Sequence, residues 1–227
     1  GGAGGGAIRL TVGGTLTVDG AIRANGNTGG TYSNSYGGGG GSGGSVYLSV
    51  GALTGTGTIS ANGGDGGNVN KGGGGGGGRI AVHYDTDSFA GTVSAYGGTG
   101  NQIGGAGTIY KQSSGQTAGD LLIDHGGRAG TPALTVIASV TELNDVLIAA
   151  GAVVDWQAVT SLRDLEVSTS GQLTRSGGQK VELTLSGNAT VDEGGSISAD
   201  VQMMVSGDLT LESNGSISGN VGMTVQG

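Results

Sequence analysis

The side chains of this sequence that could do chemistry are its acidic, histidine and aromatic residues, and His83, Asp85 and Asp87 form the densest group. They stand at alternate positions, so an extended chain would place all three on one face. Clustered carboxylates with a basic partner are the groups that bind or cleave acidic polysaccharides. The same stretch also fits a turn, because Asp and Ser favour turns. A turn is the interpretation we adopt.

Surface contact is the other chemistry that these residue types allow. Tyr32 and Tyr36 lie in a glycine-rich segment where exposure is expected, and aromatic rings can stack on sugars. With Asp85 and Asp87, they are the candidate surface-contact residues. The chain has no cysteine, and Gln102 stands where a glycine-rich calcium repeat needs aspartate. We therefore expect a protein that is not an enzyme, with no catalytic residue, metal site or cofactor.

Composition limits the partners and the core. The 227 residues include 17 acidic and 9 basic side chains, for a net charge of −8. This charge argues against nucleic acid or an anionic membrane surface as the main partner, because both require a basic face. No apolar run approaches the length of a membrane span. With 56 glycines and only 4% aromatic residues, thin stacked layers are favoured over a globular core.

The elements that must position these residues are indicated by a repeat of 20 residues near the C-terminus. Apolar residues alternate from Val181 to Leu185, and the pattern returns at Val201 and again at Val221. Alternation inside a longer period indicates short strands stacked coil upon coil, with like residues above like residues. A related repeat with a step of 19 relates residues 143–148 to residues 162–167. The sequence therefore predicts an all-β fold, a parallel β-helix or solenoid of about 20-residue coils.

The N-terminal half shows the same coil with additions. Ile8, Leu10 and Val12 alternate, Gly13 and Gly14 are expected to turn the chain, and similar coils follow. Glycine-rich inserts at 26–44, 63–78 and 97–107 leave from one corner of successive coils, so stacking should place them side by side as lateral flaps. Two arrangements remain open: a layer of left-handed helices with three residues per turn that bond to one another, or mobile loops. We expect one β-helix domain over 1–227, with inserts in 1–115 and tighter coils in 116–227.

Glycine runs that lead straight into a strand occur at residues 4–8, 43–46 and 78–80, and the second coil closes on Ile59, Ser60, Ala61 and Asn62. These features resemble the glycine-rich right-handed parallel β-helix repeats of large bacterial surface proteins. Such proteins include autotransporter passengers, chlamydial polymorphic outer-membrane proteins and filamentous adhesins. The resemblance implies an extracellular or cell-surface location and a structural or adhesive role, as a stalk or filament.

Two consequences of this interpretation concern partners. The protein is expected either to continue in a longer chain or to associate end to end with further copies, because open sheet edges favour pairing. Surface glycans are the other partners considered. The alternative function is that of a polysaccharide-binding or polysaccharide-cleaving β-helix protein.

Overall fold

The computed structural model of the protein describes residues 1–33, 36–68, 72–177, 180–198 and 200–226, except for the side chains of residues 32 and 33. The described residues form 23 strands, and the protein is all-β. They divide into two compact units. Unit 1 is Gly1–Thr117 with Arg128–Ala133, and unit 2 is Ala118–Gly127 with Leu134–Gly227. That the 227 residues form a single domain stays a prediction.

Unit 1 is built on a parallel sheet whose strands are rich in Val, Ile, Thr and Tyr, residues that pack well on a pleated surface. The strands of the unit are β1 (Ala7–Thr17), β2 (Ala21–Arg23), β3 (Thr31–Ser33), β4 (Tyr36–Gly37), β5 (Ser45–Thr54), β6 (Thr58–Ser60), β7 (Arg79–Asp87), β8 (Thr92–Ser94) and β9 (Thr108–Ser113). Within the unit, β1, β5, β7 and β9 pair in that order in what we call the long sheet. A second parallel sheet has the order β2, β6, β8, and β3 pairs with β4 antiparallel.

The coil alignment predicted for the N-terminal half is confirmed by the strand register. Leu10 pairs with Leu48, and Leu48 pairs with Val82. Leu48 and Val82 are fully buried, so the alternating apolar residues of the long sheet form one side of the core. Ile59, between Ile22 and Val93 in the second sheet, is fully buried as well. Each such aliphatic side chain contributes roughly 1.5–3 kcal/mol when fully buried.

The expected turn at Gly13 and Gly14 is wrong. Strand β1 continues through both glycines to Thr17, and the register shifts between Val12 and Thr15. Two glycines here stand against the single Gly51 of β5, which is the arrangement of a β-bulge. The bulge bends the strand while its pairing continues on either side, so no turn interrupts it.

Unit 2 consists of strands that enter three parallel sheets in a fixed cyclic order. The strands are β10 (Asp120–Asp124), β11 (Thr135–Ile137), β12 (Asp145–Ala149), β13 (Val153–Trp156), β14 (Val159–Leu162), β15 (Asp164–Val167), β16 (Gln172–Thr174), β17 (Val181–Leu185), β18 (Ala189–Val191), β19 (Ser196–Ser198), β20 (Val201–Val205), β21 (Leu209–Leu211), β22 (Ser216–Ser218) and β23 (Val221–Val225). Within the unit the three sheets have the orders β10-β12-β15-β18-β21, β11-β13-β16-β19-β22 and β14-β17-β20-β23.

The 20-residue repeat is confirmed as strand register. Val181 pairs with Val201, and Val201 pairs with Val221. The step of 19 is confirmed as well, because Val146 pairs with Leu165. Like residues therefore stand above like residues, and the inward positions of each strand form continuous apolar columns.

Tight turns of unit 2 also stack, at residues 149–152, 168–171, 192–195 and 212–215. In each, the amide of the fourth residue donates to the carbonyl of the first, at 2.6–3.0 Å. Several central residues have positive φ without being glycine, among them Thr169 (48°) and Ser170 (62°). Such conformations cost of order 1–3 kcal/mol each for residues with a Cβ. The stack of neighbouring turns holds these residues in place.

The glycine-rich segments of unit 1 lie side by side and bond to one another through their backbones. We call residues 1–6, 26–30, 38–44, 63–67, 72–78 and 97–107 the glycine layer. In one series of bonds, Gly98 N donates to Gly75 O (2.7 Å), Gly75 N to Gly64 O (2.9 Å), and Gly64 N to Gly41 O (2.8 Å). Of the two arrangements left open by the sequence, the bonded layer is the one confirmed.

The bonding of the glycine layer repeats every three residues. Gly74 N donates to Gln102 O of one neighbouring segment, and Gly75 N donates to Gly64 O of another. A Cβ on Gly76 would find its nearest atom, Gly105 O, at 3.9 Å, so this third position faces outward. A period of three is that of a polyproline II helix, and no glycine described in the layer has a positive φ. Glycine is required here by close approach between backbones.

Candidate binding surface

The outward face of the long sheet carries aromatic and charged side chains on neighbouring strands. Arg9 of β1 pairs with Tyr47 of β5, Ser49 of β5 pairs with His83 of β7, and Ala81 of β7 pairs with Tyr110 of β9. These positions alternate with the buried core positions, because successive side chains of a strand point to opposite faces. We call Arg9, Tyr47, His83 and Tyr110 the aromatic row.

The members of the aromatic row contact one another. The Arg9 guanidinium carbon lies 5.0 Å from the centre of the Tyr47 ring, within the range of a cation–π interaction. The rings of Tyr47 and His83 have their centres 5.3 Å apart, and those of His83 and Tyr110 are 5.8 Å apart. These rings are tilted, as aromatic pairs prefer. The row therefore presents a continuous surface of rings edged by a cation.

A polar groove of about 330 Å³ adjoins the aromatic row. Its lining combines hydroxyl, amide, imidazole and carboxylate groups, from Ser49, His83, Asp85, Gln112, Ser113, Ser114 and Gln116, with Val50 and Tyr84. Gln112 is oriented by its neighbours: its Oε1 accepts from the Tyr110 hydroxyl at 3.1 Å, and its Nε2 donates to Gln116 O at 3.1 Å. Rings beside oriented polar groups are a chemistry suited to a polyhydroxylated ligand.

The expected turn at Asp85 and Asp87 is wrong, and so is the expectation that His83, Asp85 and Asp87 share one face. Strand β7 runs through Asp87. His83 and Asp85 both line the groove, whereas Asp87 pairs with the fully buried Leu53. The physical reason is a bend, because the buried positions of β5 are two residues apart up to Val50 but three apart from there to Leu53. Asp87 follows that phase to the inner side.

Asp87 is held in a structural ion pair. Its Oδ2 accepts from Lys111 Nζ at 2.7 Å, and its Oδ1 accepts from the amide of Phe89 at 3.0 Å. Lys111 itself stands in register with the fully buried Val82, and the Asp87 side chain is only 15% exposed. Both partners therefore face the inner side of the sheet, and Asp87 does not contribute to the groove.

The tyrosines predicted as surface contacts lie in the first insert. Tyr36 is 73% exposed in β4, so its exposure is confirmed, while a binding role for it stays a prediction. The side chain of Tyr32 lies outside the described residues. Tyr36, Gly39 and Ser42 are three residues apart, which is the spacing of the outward positions of the glycine layer. Tyr36 thus projects from the insert, apart from the aromatic row.

A second cluster of charged and aromatic groups fastens residues 128–133 to the glycine layer. Arg128 lies over the ring of Tyr96 at 5.7 Å, and its Nη1 is 3.6 Å from Asp65 Oδ1. The same Asp65 oxygen accepts from the amide and hydroxyl of Thr99, at 2.7 and 2.8 Å. Ala133 N donates to the carbonyl of residue 103 at 3.0 Å. These contacts are internal to unit 1 and explain how the segment is held.

Asp155 is the buried carboxylate of unit 2, with 1% of its surface exposed. Burial by itself would raise its pKa. Hydrogen bonds from the Ser176 side chain and amide and from Gln157, together with the charge of Arg175, outweigh burial and hold the pKa of Asp155 below its ordinary value of 3.8. Because all its partners are internal, the carboxylate has a structural role.

The two units differ in charge. Unit 1 has six Lys and Arg against four Asp and no Glu, a net charge of +2. Unit 2 has three Lys and Arg against thirteen acidic residues, a net charge of −10. The overall charge of −8 is therefore a property of unit 2, and the aromatic row belongs to a unit of the opposite sign.

Two further observations concern metals and membranes. Within the described ranges, no three His, Asp or Glu side chains are grouped closely enough to hold a metal ion. The described part of the chain likewise contains no helix of the length and hydropathy needed to cross a bilayer.

Comparison with known proteins adds no relative. No protein-family model matches the chain, and neither the curated proteins nor the solved structures provide a significant match. Its function must therefore be inferred from the geometry above.

Sequence reasoning missed Tyr47, Tyr110 and the groove. A signal for them is present, because alignment of the coils on Val46, Ile80 and Ile109 puts Tyr47 and Tyr110 in one outward slot. The ring contacts with His83 depend on side chains leaning along the strands, and alignment does not reveal this.

Proposed function

We propose that this chain is a structural and adhesive module of a bacterial cell-surface protein, built as a right-handed parallel β-helix, and that its aromatic row contacts surface glycans. The β-helix assignment is supported by the cyclic order in which unit 2 enters its three sheets and by the register steps of 19 and 20 residues. Right-handedness is the strong preference of parallel crossover connections. The surface location rests on the resemblance of the glycine-run and strand repeats to bacterial surface proteins.

The observation that carries the adhesive role is the aromatic row next to the polar groove. Sugar rings present apolar C–H faces and polar edges, so a binding site needs aromatic surface with hydroxyl, amide and carboxylate groups alongside. The outward face of the long sheet supplies these groups on neighbouring strands, which lie about 4.8 Å apart. The regular stacking of strands holds them on a rigid scaffold.

The test is a glycan array probed with the intact protein and with two variants. We expect the double variant Tyr47→Ala, Tyr110→Ala to lose binding at least ten-fold, because stacking contacts are worth roughly 1–3 kcal/mol per exposed ring when a ligand desolvates them. Tyr36→Ala is the matched control and should bind like the parent. Loss of binding in the control alone would move the contact surface to the first insert. Absence of binding to every glycan would refute the adhesive role.

Polysaccharide cleavage is the less supported alternative. It requires two carboxyl groups on opposite sides of one bond, roughly 5–9.5 Å apart. Asp85 lines the groove, but Asp87 is paired with Lys111 on the inner side of the sheet. The pair proposed from the sequence therefore does not converge, and the groove is better suited to binding than to hydrolysis.

Continuation or end-to-end association completes the proposal. Strands β1 and β23 stand at sheet edges, and such edges pair readily with another strand. Light scattering on the purified 227 residues across a concentration series tests the association arm. Growth of the mass with concentration supports stacking of copies, and a constant monomer mass contradicts it.

A further inference from the structure

Between Tyr47 and Tyr110 the outward face of the long sheet contains a slot. Both tyrosines pair with Ala81 of the intervening strand, whose side chain is a single methyl group. Strands two positions apart are separated by about 10 Å. Two van der Waals contacts of about 3.5–4 Å each fit within that gap, so a ring can enter between the tyrosines.

The ends of the slot differ in chemistry. His83, two residues after Ala81, contacts both tyrosine rings and closes one end. Arg79, two residues before Ala81, is exposed on the same face at the other end, where its strand neighbours are Ser45 and Thr108. Arg9 lies over Tyr47 on the adjacent wall. Two guanidinium groups therefore border the slot, while the carboxylate of the face, Asp85, lies beyond His83 in the groove.

The surrounding charge has the same sign. Unit 1 carries a net charge of +2, in contrast to the −10 of unit 2. Arginine suits planar carboxylates, because its fork of N–H donors matches their geometry. A neutral sugar would gain nothing from these cations, whereas a carboxylated sugar would be attracted to the slot and oriented in it.

We infer that the slot selects glycans carrying carboxylate groups, such as uronic or sialic acids, with Arg79 and Arg9 binding the carboxylate and Tyr47 and Tyr110 flanking the sugar ring. This inference rests on the proposed glycan-binding function and specifies its ligand class. It predicts that removing the charge of the ligand and removing Arg79 have the same effect.

Calorimetric titration of the intact protein with matched probes tests the inference. The probes are an oligogalacturonate with its carboxyl-reduced counterpart, and sialyl-lactose with lactose. We expect at least one carboxylated probe to bind ten-fold or more tightly than its neutral partner. Arg79→Ala should abolish that preference and leave the weaker neutral binding unchanged. Arg23→Ala, which removes an exposed arginine from the second sheet, is the control and should keep the preference.

The outcomes separate the two proposals. Equal binding of neutral and carboxylated probes would overturn the charge selectivity and leave glycan binding intact. Retention of the preference in Arg79→Ala would overturn the assignment to the slot. Failure of all four probes would overturn the selectivity, and the glycan array then decides the proposed function by itself. Circular dichroism of each variant establishes that it is folded.

Discussion

Substitution of alanine at two adjacent glycines of the glycine layer should have opposite effects on stability. A Cβ on Gly75 would lie 2.0 Å from Gly41 O and 2.5 Å from Gly41 C, both of them backbone atoms. The two segments would have to separate by about 1 Å or more to restore contact distance. A Cβ on Gly76 would meet nothing closer than Gly105 O at 3.9 Å. Neither glycine has a positive φ, so the contrast is one of space alone.

The magnitude follows from the contacts. Overpacking costs about 1–3 kcal/mol, and Gly75 also takes part in two backbone bonds, to Gly64 O and from Gly98 N, each worth about 0.5–1.5 kcal/mol. We expect Gly75→Ala to lower the free energy of unfolding by about 2–6 kcal/mol. Gly76→Ala should raise it by about 0.4–1 kcal/mol, because alanine restricts the unfolded chain more than glycine does.

Urea unfolding followed by circular dichroism compares the two variants. Because repeat structures can unfold in parts, amide exchange at Gly64 and Gly98 supplies the local measurement. Gly75→Ala should speed exchange at both amides, and Gly76→Ala should not. Equal stability of the two variants, or slow exchange in Gly75→Ala, would refute the close-packed layer.

Three further predictions concern single side chains. Asp155→Asn should destabilise the protein by about 2–4 kcal/mol at neutral pH, since a buried, bonded carboxylate is lost. Because the pKa of Asp155 is lowered by folding, its contribution is complete above pH 3.8 and is lost as pH falls through the lower folded value, so wild type and variant should converge in acid denaturation. Ser170→Gly should stabilise by about 0.5–1 kcal/mol, because φ is +62° there, whereas Ser196→Gly in β19 should destabilise by a similar amount in thermal unfolding. Asn62→Ala should cost about 1–3 kcal/mol and speed amide exchange at Tyr96, whose N–H donates to Asn62 Oδ1 at 2.7 Å.

Each of these predictions has a contrary result. A constant difference between Asp155→Asn and wild type down to pH 2 would show that the carboxylate is not held ionised. Destabilisation of both serine variants would show that the turn at Ser170 is unstrained. Unchanged exchange at Tyr96 would show that its amide does not depend on Asn62.

Strand register was the part of the fold most accessible from sequence. The alternation of Val181, Leu183 and Leu185 and its return after 20 residues were enough to predict which residues pair, because each strand must turn its apolar face inward and a slip of one residue would expose it. The glycine inserts were harder to interpret, since glycine favours disorder and close packing alike. Only the positions of neighbouring segments decided that Gly41, Gly64 and Gly75 bond to one another.

The aromatic row and groove were less accessible. Residue types predicted a cluster of His83, Asp85 and Asp87, and a bend in the strands separated Asp87 from the other two. Strand alternation describes straight strands, so it fails where the spacing of buried positions changes from two to three. The interpretation based on net charge was similarly limited, because the sum of −8 combines a unit of +2 with a unit of −10.

The sequence by itself determined the all-β class, the pairing of repeats and the places where glycine interrupts them, because these depend on local periodicity. Tertiary structure decided which side chains meet across strands: Tyr47 with His83, His83 with Tyr110, and Asp87 with Lys111. Such contacts depend on bends, bulges and side-chain directions, which vary at little cost to the repeat. The scaffold was therefore written in the period of the chain, and the binding surface emerged only where the strands lie side by side.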